Sequence, residues 1–147
     1  DMRDHVKEGE RYPMTSAYSN TERCWFVLTL QNIDACWGEI VGGEAYYDLH
    51  YSDLFTRLWL SRDRAPRKTE LYDFMPRVSR RTAVKYVDRA IREGLLVQET
   101  DPVDRRSKRV SLSPELLTRI ESFLDRSLEI LHTPSVMDVN LAAESNS

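Results

Sequence analysis

The chain has 147 residues, of which 41% are hydrophobic and 31% are charged, and its formal net charge at pH 7 is −3. This length and composition suit one globular domain with a small attached element, and they exclude a chain that is disordered throughout. No apolar run approaches the ~18 residues that a membrane-spanning helix needs, and the polar start of the chain lacks the pattern of a signal peptide. We therefore expect a cytoplasmic protein with no membrane partner.

Positive charge is concentrated in the middle of the chain. Residues 57–110 contain 15 Lys/Arg and 8 Asp/Glu, whereas the rest of the chain contains 6 and 16. Because a phosphate responds to the local field, a basic middle between acidic arms is able to bind a nucleic acid although the whole chain is acidic. The alternative is a solvated surface on which cations cluster by chance.

The first half of the chain reads as a polar arm followed by two helices. Residues 1–21 indicate an N-terminal arm. From Thr21, apolar residues at three- and four-residue spacing predict a helix, which Gly42-Gly43 ends. Ser52-Asp53 is expected to cap a second helix, and Pro66 breaks it.

The next two helices have the spacing of a helix-turn-helix. A short helix is predicted over about Thr69–Met75. Ser79 is expected to cap the following helix, about Arg80–Glu93, and Gly94 closes it. The connection between the two helices is a turn of three or four residues, which is the helix-turn-helix layout.

After Gly94 the pattern changes to that of a β-hairpin and a final helix. Leu95–Asp101 and Arg109–Ser113 alternate as short strands around a charged loop. Pro114 opens the last helix, in the first-turn position that proline favours, and Thr133-Pro134 stops it.

These elements predict a mainly α fold with a small β-hairpin, that is, a winged helix-turn-helix domain with flanking dimerisation helices. The apolar faces of residues 22–40 and 116–131 exceed what one small winged domain can cover, which predicts a homodimer. The expected domains are an N-terminal arm (1–21), an N-terminal dimerisation helix (22–47), the winged helix-turn-helix domain (48–113) and a C-terminal dimerisation helix with its tail (114–147).

The element order predicts that the chain binds double-stranded DNA. A helix that follows the turn fits the major groove, and its N-terminus offers free N–H groups to phosphate. The candidate residues in and before this helix are Arg77, Ser79, Arg80, Arg81, Thr82 and Lys85. The alternative for each is a solvated helix face.

The hairpin loop supplies a second group of candidates. The stretch DPVDRRSKRV (101–110) places four cations in five positions. Such a loop is able to lay arginine over phosphates or into a narrow minor groove, where the negative potential is high. The candidate DNA-binding residues here are Arg105, Arg106 and Lys108. The alternative is a solvated charge, with Arg106 paired to Asp104.

The segment VSRRTAVKYVDRAIREGLLVQETDPVDRRSKRVSLSPE (78–115) resembles the MarR family of bacterial transcription regulators. The resemblance lies in a helix that starts at Ser79, a DR…GL helix end, a DPxDRR wing and a return strand of V-L-S-P type, and it covers about a quarter of the chain closely. It implies a symmetric dimer that binds a pseudo-palindromic site, usually as a repressor released by a small ligand or an oxidant. It also places Arg106 where the family's wing arginine enters the minor groove, and Asp104 where an acid orients that arginine.

The sequence departs from the family pattern in three places. Val84 stands where Ser or Thr is usual, which replaces a polar contact with one suited to a thymine methyl group. Ala90 replaces a core Leu. The region after Leu131 is short for the family, which leaves the form of the dimer interface open.

The aromatic residues and the cysteines bear on two further functions, ligand binding and redox sensing. In the family, a ligand pocket lies between the dimer helices and the winged domain, so the aromatic residues allow a small aromatic ligand, although a dimer core is the favoured reading for them. Those residues are Trp25, Trp37, Trp59, Tyr46, Tyr47 and Tyr51. Oxidation-sensing members carry a cysteine on the first helix, where Cys24 lies, but only Arg23 near it could lower a thiol pKa.

The sequence predicts neither a catalytic site nor a bound cofactor or metal. The cysteines Cys24 and Cys36 and the three histidines are too scattered for a metal site, and no Gly-rich phosphate loop or nucleophile motif is present. The predicted function is that of a sequence-specific DNA-binding transcriptional regulator, a homodimeric repressor that responds to a small ligand. The alternative is a winged-helix module for protein–protein contact that does not bind DNA.

Overall fold

A computed structural model describes residues 17–132, and the structural statements below refer to that part of the chain. It confirms the predicted mainly helical fold with one β-hairpin. The predicted arm up to residue 16 and the tail beyond residue 132 lie outside the described residues. The elements are α1 (Asn20–Trp37), a π-helical turn (Gly38–Gly42), a 3-10 turn (Glu44–Tyr46), α2 (Leu49–Leu60), a 3-10 helix (Lys68–Phe74), α3 (Arg80–Arg92), β1 (Leu96–Thr100), β2 (Lys108–Leu112) and α4 (Pro114–His132).

Helix α1 begins and ends earlier than its apolar pattern predicts. Ser19 and Glu22 form a capping box, in which each side chain accepts the backbone N–H of the other residue, so the helix starts at Asn20. The α-helix ends at Trp37 and continues as the π-helical turn, which places Val41 in the core, and Gly43 closes that turn with φ of 65°. The prediction that Gly42-Gly43 ends the helical segment is therefore confirmed. The expectation of one regular helix up to these glycines was wrong, because apolar spacing does not distinguish an α-helical turn from a π-helical one.

The predicted cap of α2 was also wrong. Asp48, with an extended backbone, is the N-cap, and its Oδ1 accepts the His50 N–H at 2.8 Å. Ser52 and Asp53 lie inside the helix, where both backbone carbonyls accept the Thr56 hydroxyl, Ser52 at 2.6 Å and Asp53 at 3.4 Å. Asp48, Ser52 and Asp53 are all residue types that favour the N-cap position. Asp48 takes it because its side chain also bonds to Tyr86 of α3, a contact that the neighbouring sequence does not reveal.

The core lies between α2, α3, α4 and the hairpin. Its largest fully buried side chains are those of Phe55, Leu54, Leu71, Met75, Leu116 and Ile120. Burying each such side chain contributes about 1.5–3 kcal/mol to stability. Val87 of α3 and Val110 of β2 are buried in the same cluster and fix that helix and the wing on this core. At the far end, Trp37 of α1 meets Phe123 of α4 edge to face, with ring centroids 5.0 Å apart.

The hairpin is a short antiparallel pair that is extended by a third piece of strand. Its register runs from Leu96 opposite Leu112 to Thr100 opposite Lys108. Strand β1 is one residue shorter at each end than the predicted Leu95–Asp101, and β2 has the predicted length but starts and ends one residue earlier than Arg109–Ser113. A single antiparallel bridge joins Arg67 to Arg109 on the other side of β2. The buried inner face of the hairpin, which includes Val110, packs on the core.

Within residues 17–132, no helix combines the length and the apolar character needed to cross a membrane.

Candidate nucleic-acid interface

Helix α3 carries its cations on the side away from the core. Its N-cap is Ser79, as predicted, and the Ser79 hydroxyl accepts the Thr82 N–H at 3.2 Å. One face of the helix is fully buried through Ala83, Val87 and Ala90. Ala90, where the family pattern has a core Leu, is therefore still a core residue.

The candidate residues around the start of α3 lie together on the surface. Arg77, Ser79, Arg80, Arg81 and Lys85 are exposed, and Thr82 is half-buried. The Arg80 guanidinium lies over the Tyr72 ring, 5.0 Å from its centroid, which orients that side chain against the preceding 3-10 helix.

Asp101 braces the base of the wing from the inside. Its Oδ1 accepts the Val103 N–H at 2.9 Å, and its Oδ2 accepts Arg109 Nε at 3.1 Å, although the Asp101 side chain is only 2% exposed. The hydrogen bond from the Val103 N–H, which outweighs burial and is helped by the Arg109 guanidinium, holds the pKa of Asp101 below its ordinary value. Arg109 also donates through Nη1 to the Ala65 carbonyl at 2.7 Å, so this cation is committed to holding the wing.

The wing tip is a closed turn with its cations outside. The Ser107 N–H bonds to the Asp104 carbonyl at 2.9 Å, and the Asp101 N–H bonds to the Ser107 carbonyl at 3.0 Å. Arg105, Arg106 and Lys108 are all exposed.

Asp104 orients the backbone of Arg106, which differs from the role that the family resemblance implies. Asp104 Oδ1 accepts the Arg106 backbone N–H at 3.1 Å. Within the described residues, the acid that bonds a wing guanidinium is Asp101, and its partner is Arg109. The Arg106 side chain is therefore left facing solvent by a turn whose backbone is fixed.

Several cations of the basic middle are paired inside the protein. Lys68 Nζ lies 3.1 Å from Asp88 Oδ1, and Arg89 Nε donates to Glu93 Oε1 at 3.2 Å. These two cations, like Arg109, therefore have an acid partner within the chain. Among the described residues, the ion pairs do not use the candidate cations of α3 and the wing tip.

A hydrogen-bond network behind α3 was not found from the sequence. The Tyr86 hydroxyl donates to Asp48 Oδ2 at 2.6 Å, and this bond is the main cause that raises the pKa of Tyr86 to about 12. Burial opposes ionisation of Asp48, but the bonds from the Tyr86 hydroxyl and the His50 N–H outweigh it and keep the pKa of Asp48 below its ordinary value. Near the end of α3, the Tyr46 hydroxyl bonds to Glu93.

Concave surfaces lie beside α3 and, separately, on α1. A cleft of about 240 Å³ lies beside α3 and is lined by Ala45, Asp48, Tyr51, Lys85, Tyr86 and Arg89. A wider apolar hollow of about 630 Å³ lies along the start of α1, between side chains that include Trp25 and Phe26.

The cysteines and acids of residues 17–132 do not form a metal site. No group of three His, Cys, Asp or Glu residues in that range could hold an ion. Cys24 is exposed and Cys36 is buried, and neither is in a disulfide.

Structural comparison identifies the fold. The chain matches no family model and no curated protein sequence. The S. aureus MepR–DNA complex is similar at a TM-score of 0.61 and 16% identity, over 87% of this chain and 98% of that one. An S. aureus MepR mutant bound to an oligodeoxyribonucleotide gives 0.59 and 16%, over 90% and 94%. The heme sensor protein PefR, in complex with heme and carbon monoxide, gives 0.50 and 16%, over 86% and 87%.

The described elements define a winged-helix protein in which a helix-turn-helix and its hairpin are flanked by long helices. More particularly, the chain has the winged-helix fold of MarR-type regulators. This fold is the one that the resemblance of residues 78–115 implies.

Proposed function

We propose that the chain is a MarR-type transcriptional regulator that binds DNA as a homodimer, acts as a repressor that responds to a small ligand, and is not an enzyme. One observation carries the proposal: two neighbouring elements on one core present exposed cations that form no ion pair with an acid of residues 17–132. On α3 these are Arg81 and Lys85, and on the wing tip they are Arg105 and Arg106. Uncompensated cations on an ordered surface are suited to a polyanion.

Each element has a different part in the proposed complex. The first turns of α3 enter the major groove, where Arg81 and Lys85 reach base edges or phosphates and Ser79 adds a hydroxyl. The wing lies on the adjacent backbone, with Arg106 in the minor groove. The bracing of the wing by Asp101 and Arg109 supports this assignment, because a fixed loop loses less conformational entropy when it binds.

A second copy of the chain is the proposed cover for the apolar surface of α1 and α4. Phe26, Val27 and Leu30 on α1 and Leu128 and Leu131 on α4 are large hydrophobic side chains that are 43–53% exposed. Large hydrophobic side chains exposed on two helices that pack together mark an interface. A two-fold dimer would present two α3 helices to successive turns of a duplex.

The cleft beside α3 is the proposed place for a small aromatic ligand. The half-buried ring of Tyr86 and the edge of the buried Tyr51 line this cleft, and the exposed Lys85 offers positive charge to an acidic substituent. Because Lys85 and Tyr86 belong to α3, a ligand in this cleft would act on the DNA-binding helix directly. The MepR–DNA complex and the heme-bound PefR structure support DNA and ligand binding as properties that this fold accommodates.

Selection of bound fragments from a random duplex library tests the proposal. We expect a two-fold symmetric sequence, and sedimentation of the free protein at twice the 17.2 kDa chain mass. We also expect affinity to fall steeply between ~50 and ~200 mM salt. A protein that binds no duplex at ~50 mM salt would instead be a docking module for other proteins, and a 17.2 kDa species alone would contradict the dimer.

A further inference from the structure

The segment Ser61–Lys68, which runs from the end of α2 to the first residue of the 3-10 helix, forms an additional edge of the wing. We propose that Arg64 and Arg67 of this segment are a second phosphate-binding surface, which contacts the sugar–phosphate backbone of DNA that flanks the recognised site. The proposal rests on the proposed function and extends it to DNA beyond the reach of α3 and the wing tip.

Backbone hydrogen bonds fix this segment to the wing. The Val110 N–H of β2 donates to the Pro66 carbonyl at 3.0 Å, and Arg67 pairs with Arg109 in an antiparallel bridge. Arg109 Nη1 adds the 2.7 Å bond to the Ala65 carbonyl. Arg109, which helps to hold the wing, therefore also positions this segment.

The segment lies at the outer edge of the sheet. The order across the sheet is β1, β2 and then the Arg67 bridge. Strand β1 follows α3 after a short turn and packs against it, so the segment occupies the opposite edge. With α3 in the major groove and the wing tip on the next stretch of backbone, this edge faces DNA further from the centre of the site.

This segment has a net positive charge, and two of its cations lack an acid partner among the described residues. Ser61–Lys68 contains four cations and one acid. Arg62 is committed, because it donates to the Trp59 carbonyl at 2.9 Å and lies 3.8 Å over the Trp59 ring, and Lys68 is paired with Asp88. Arg64 and Arg67 are exposed, and the ion pairs of the described residues leave both side chains without an acid partner.

The position of Arg67 suits a phosphate next to those reached by the tip. Arg67 lies opposite Arg109. Arg109 is two residues from Ser107 at the wing tip, a distance of roughly 7 Å along an extended strand. A contact from this edge reaches the backbone only, so it adds affinity without sequence preference. Two such contacts would contribute roughly −1.8 per protomer to the slope of log affinity against log salt concentration.

The test compares two duplexes with the variant Arg64→Gln/Arg67→Gln. One duplex carries only the selected site, and the other adds about one helical turn of arbitrary sequence at each end. On the longer duplex we expect wild-type affinity to be higher than that of the variant, with a salt slope steeper by roughly 1.8 per protomer. On the short duplex we expect the two proteins to bind alike, and the selected sequence should be the same for both.

The matched control is Arg119→Gln/Arg126→Gln, which removes two cations from the exposed side of α4, where they pair with Glu115 and Glu129. If the control variant lowered the salt slope as much as the test variant, the effect would follow from net charge alone, and the proposal would be overturned. A test variant that keeps the wild-type slope on the longer duplex would also overturn it, and the proposed function would stand. If the wild-type protein bound neither duplex, the proposed function would fall and this inference with it.

Discussion

The Tyr86 hydroxyl of α3 donates a 2.6 Å hydrogen bond to the Asp48 carboxylate, which is also the N-cap of α2. One carboxylate thus serves the start of one helix and the middle of another. Because Tyr86 lies on the helix that carries the proposed DNA-reading residues, this bond links the position of that helix to the chain segment that follows α1.

Removing the Tyr86 hydroxyl is expected to weaken the fold. Tyr86→Phe should lower the free energy of unfolding by about 1–2 kcal/mol, below the upper range for a bond to a charged group, because 40% of the Asp48 side chain is exposed. Urea unfolding measures the change. Tyr47→Phe, at a tyrosine that is 52% exposed, is the matched control. Equal midpoints for the two variants would contradict this role of the bond.

The same pair predicts an alkaline dependence of stability. The pKa of Tyr86 is raised to about 12 in the folded protein from a reference value of 10.0. A raised pKa means that the stabilisation is fully present below about pH 10 and is lost as the pH rises through about 12. Asp48→Asn should bring the pKa of Tyr86 down toward 10, as followed by NMR of the tyrosine ring. A ring that still titrates near 12 in that variant would remove Asp48 as the cause.

The wing should respond to acid through Asp101. Its pKa is lowered in the folded state, so its contribution to stability is present above the ordinary Asp value of 3.8 and is lost as the pH falls through the lower folded value. Asp101→Asn is expected to lower stability at pH 7 and to flatten the loss of stability below about pH 4. Glu121→Gln, at an exposed position of α4, is the control for the loss of one negative charge. Identical acid profiles for wild type and Asp101→Asn would refute the assignment.

Gly94 is expected to be necessary for the connection from α3 to β1. Its φ is +79°, and its N–H and that of Leu95 close the end of the helix on the Ile91 and Ala90 carbonyls. A Cβ at this position would meet no atom within 4 Å, so the cost of Gly94→Ala is that of the left-handed backbone, about 1–2 kcal/mol. Gly94→Asn should cost less, since asparagine tolerates this conformation. Thermal unfolding that ranks Asn at or below Ala would show that the backbone strain is not the cause.

Local signals in the sequence were sufficient for the helix-turn-helix and the hairpin. Ser79 and Gly94 bound α3 because a capping hydroxyl and a left-handed glycine act within a few residues of the chain. Alternation was sufficient for β2, because Val110 and Leu112 on one of its faces are buried. In β1 only Leu96 is buried, and its pairing with β2 completes the hairpin.

Contacts between distant residues explain what the sequence did not predict. Asp48 was overlooked as a cap because its second partner, Tyr86, is 38 residues away. Arg109 was grouped with the wing cations, yet its partners Asp101 and Ala65 hold it inside the hairpin base. Composition identifies a cluster of cations, but only the fold distinguishes those that are paired from those that are free.

The central claim is that the exposed cations of α3 and the wing bind duplex DNA, and the affinity of Arg81→Ala and Arg106→Ala for the selected duplex tests it most directly. Each substitution should cost about 1–3 kcal/mol of binding free energy, while circular dichroism shows an intact fold. Arg119→Ala on α4 should bind like the wild type, since that residue pairs with Glu115 away from the interface. If Arg81→Ala and Arg106→Ala, singly and together, bind with wild-type affinity, the account is contradicted.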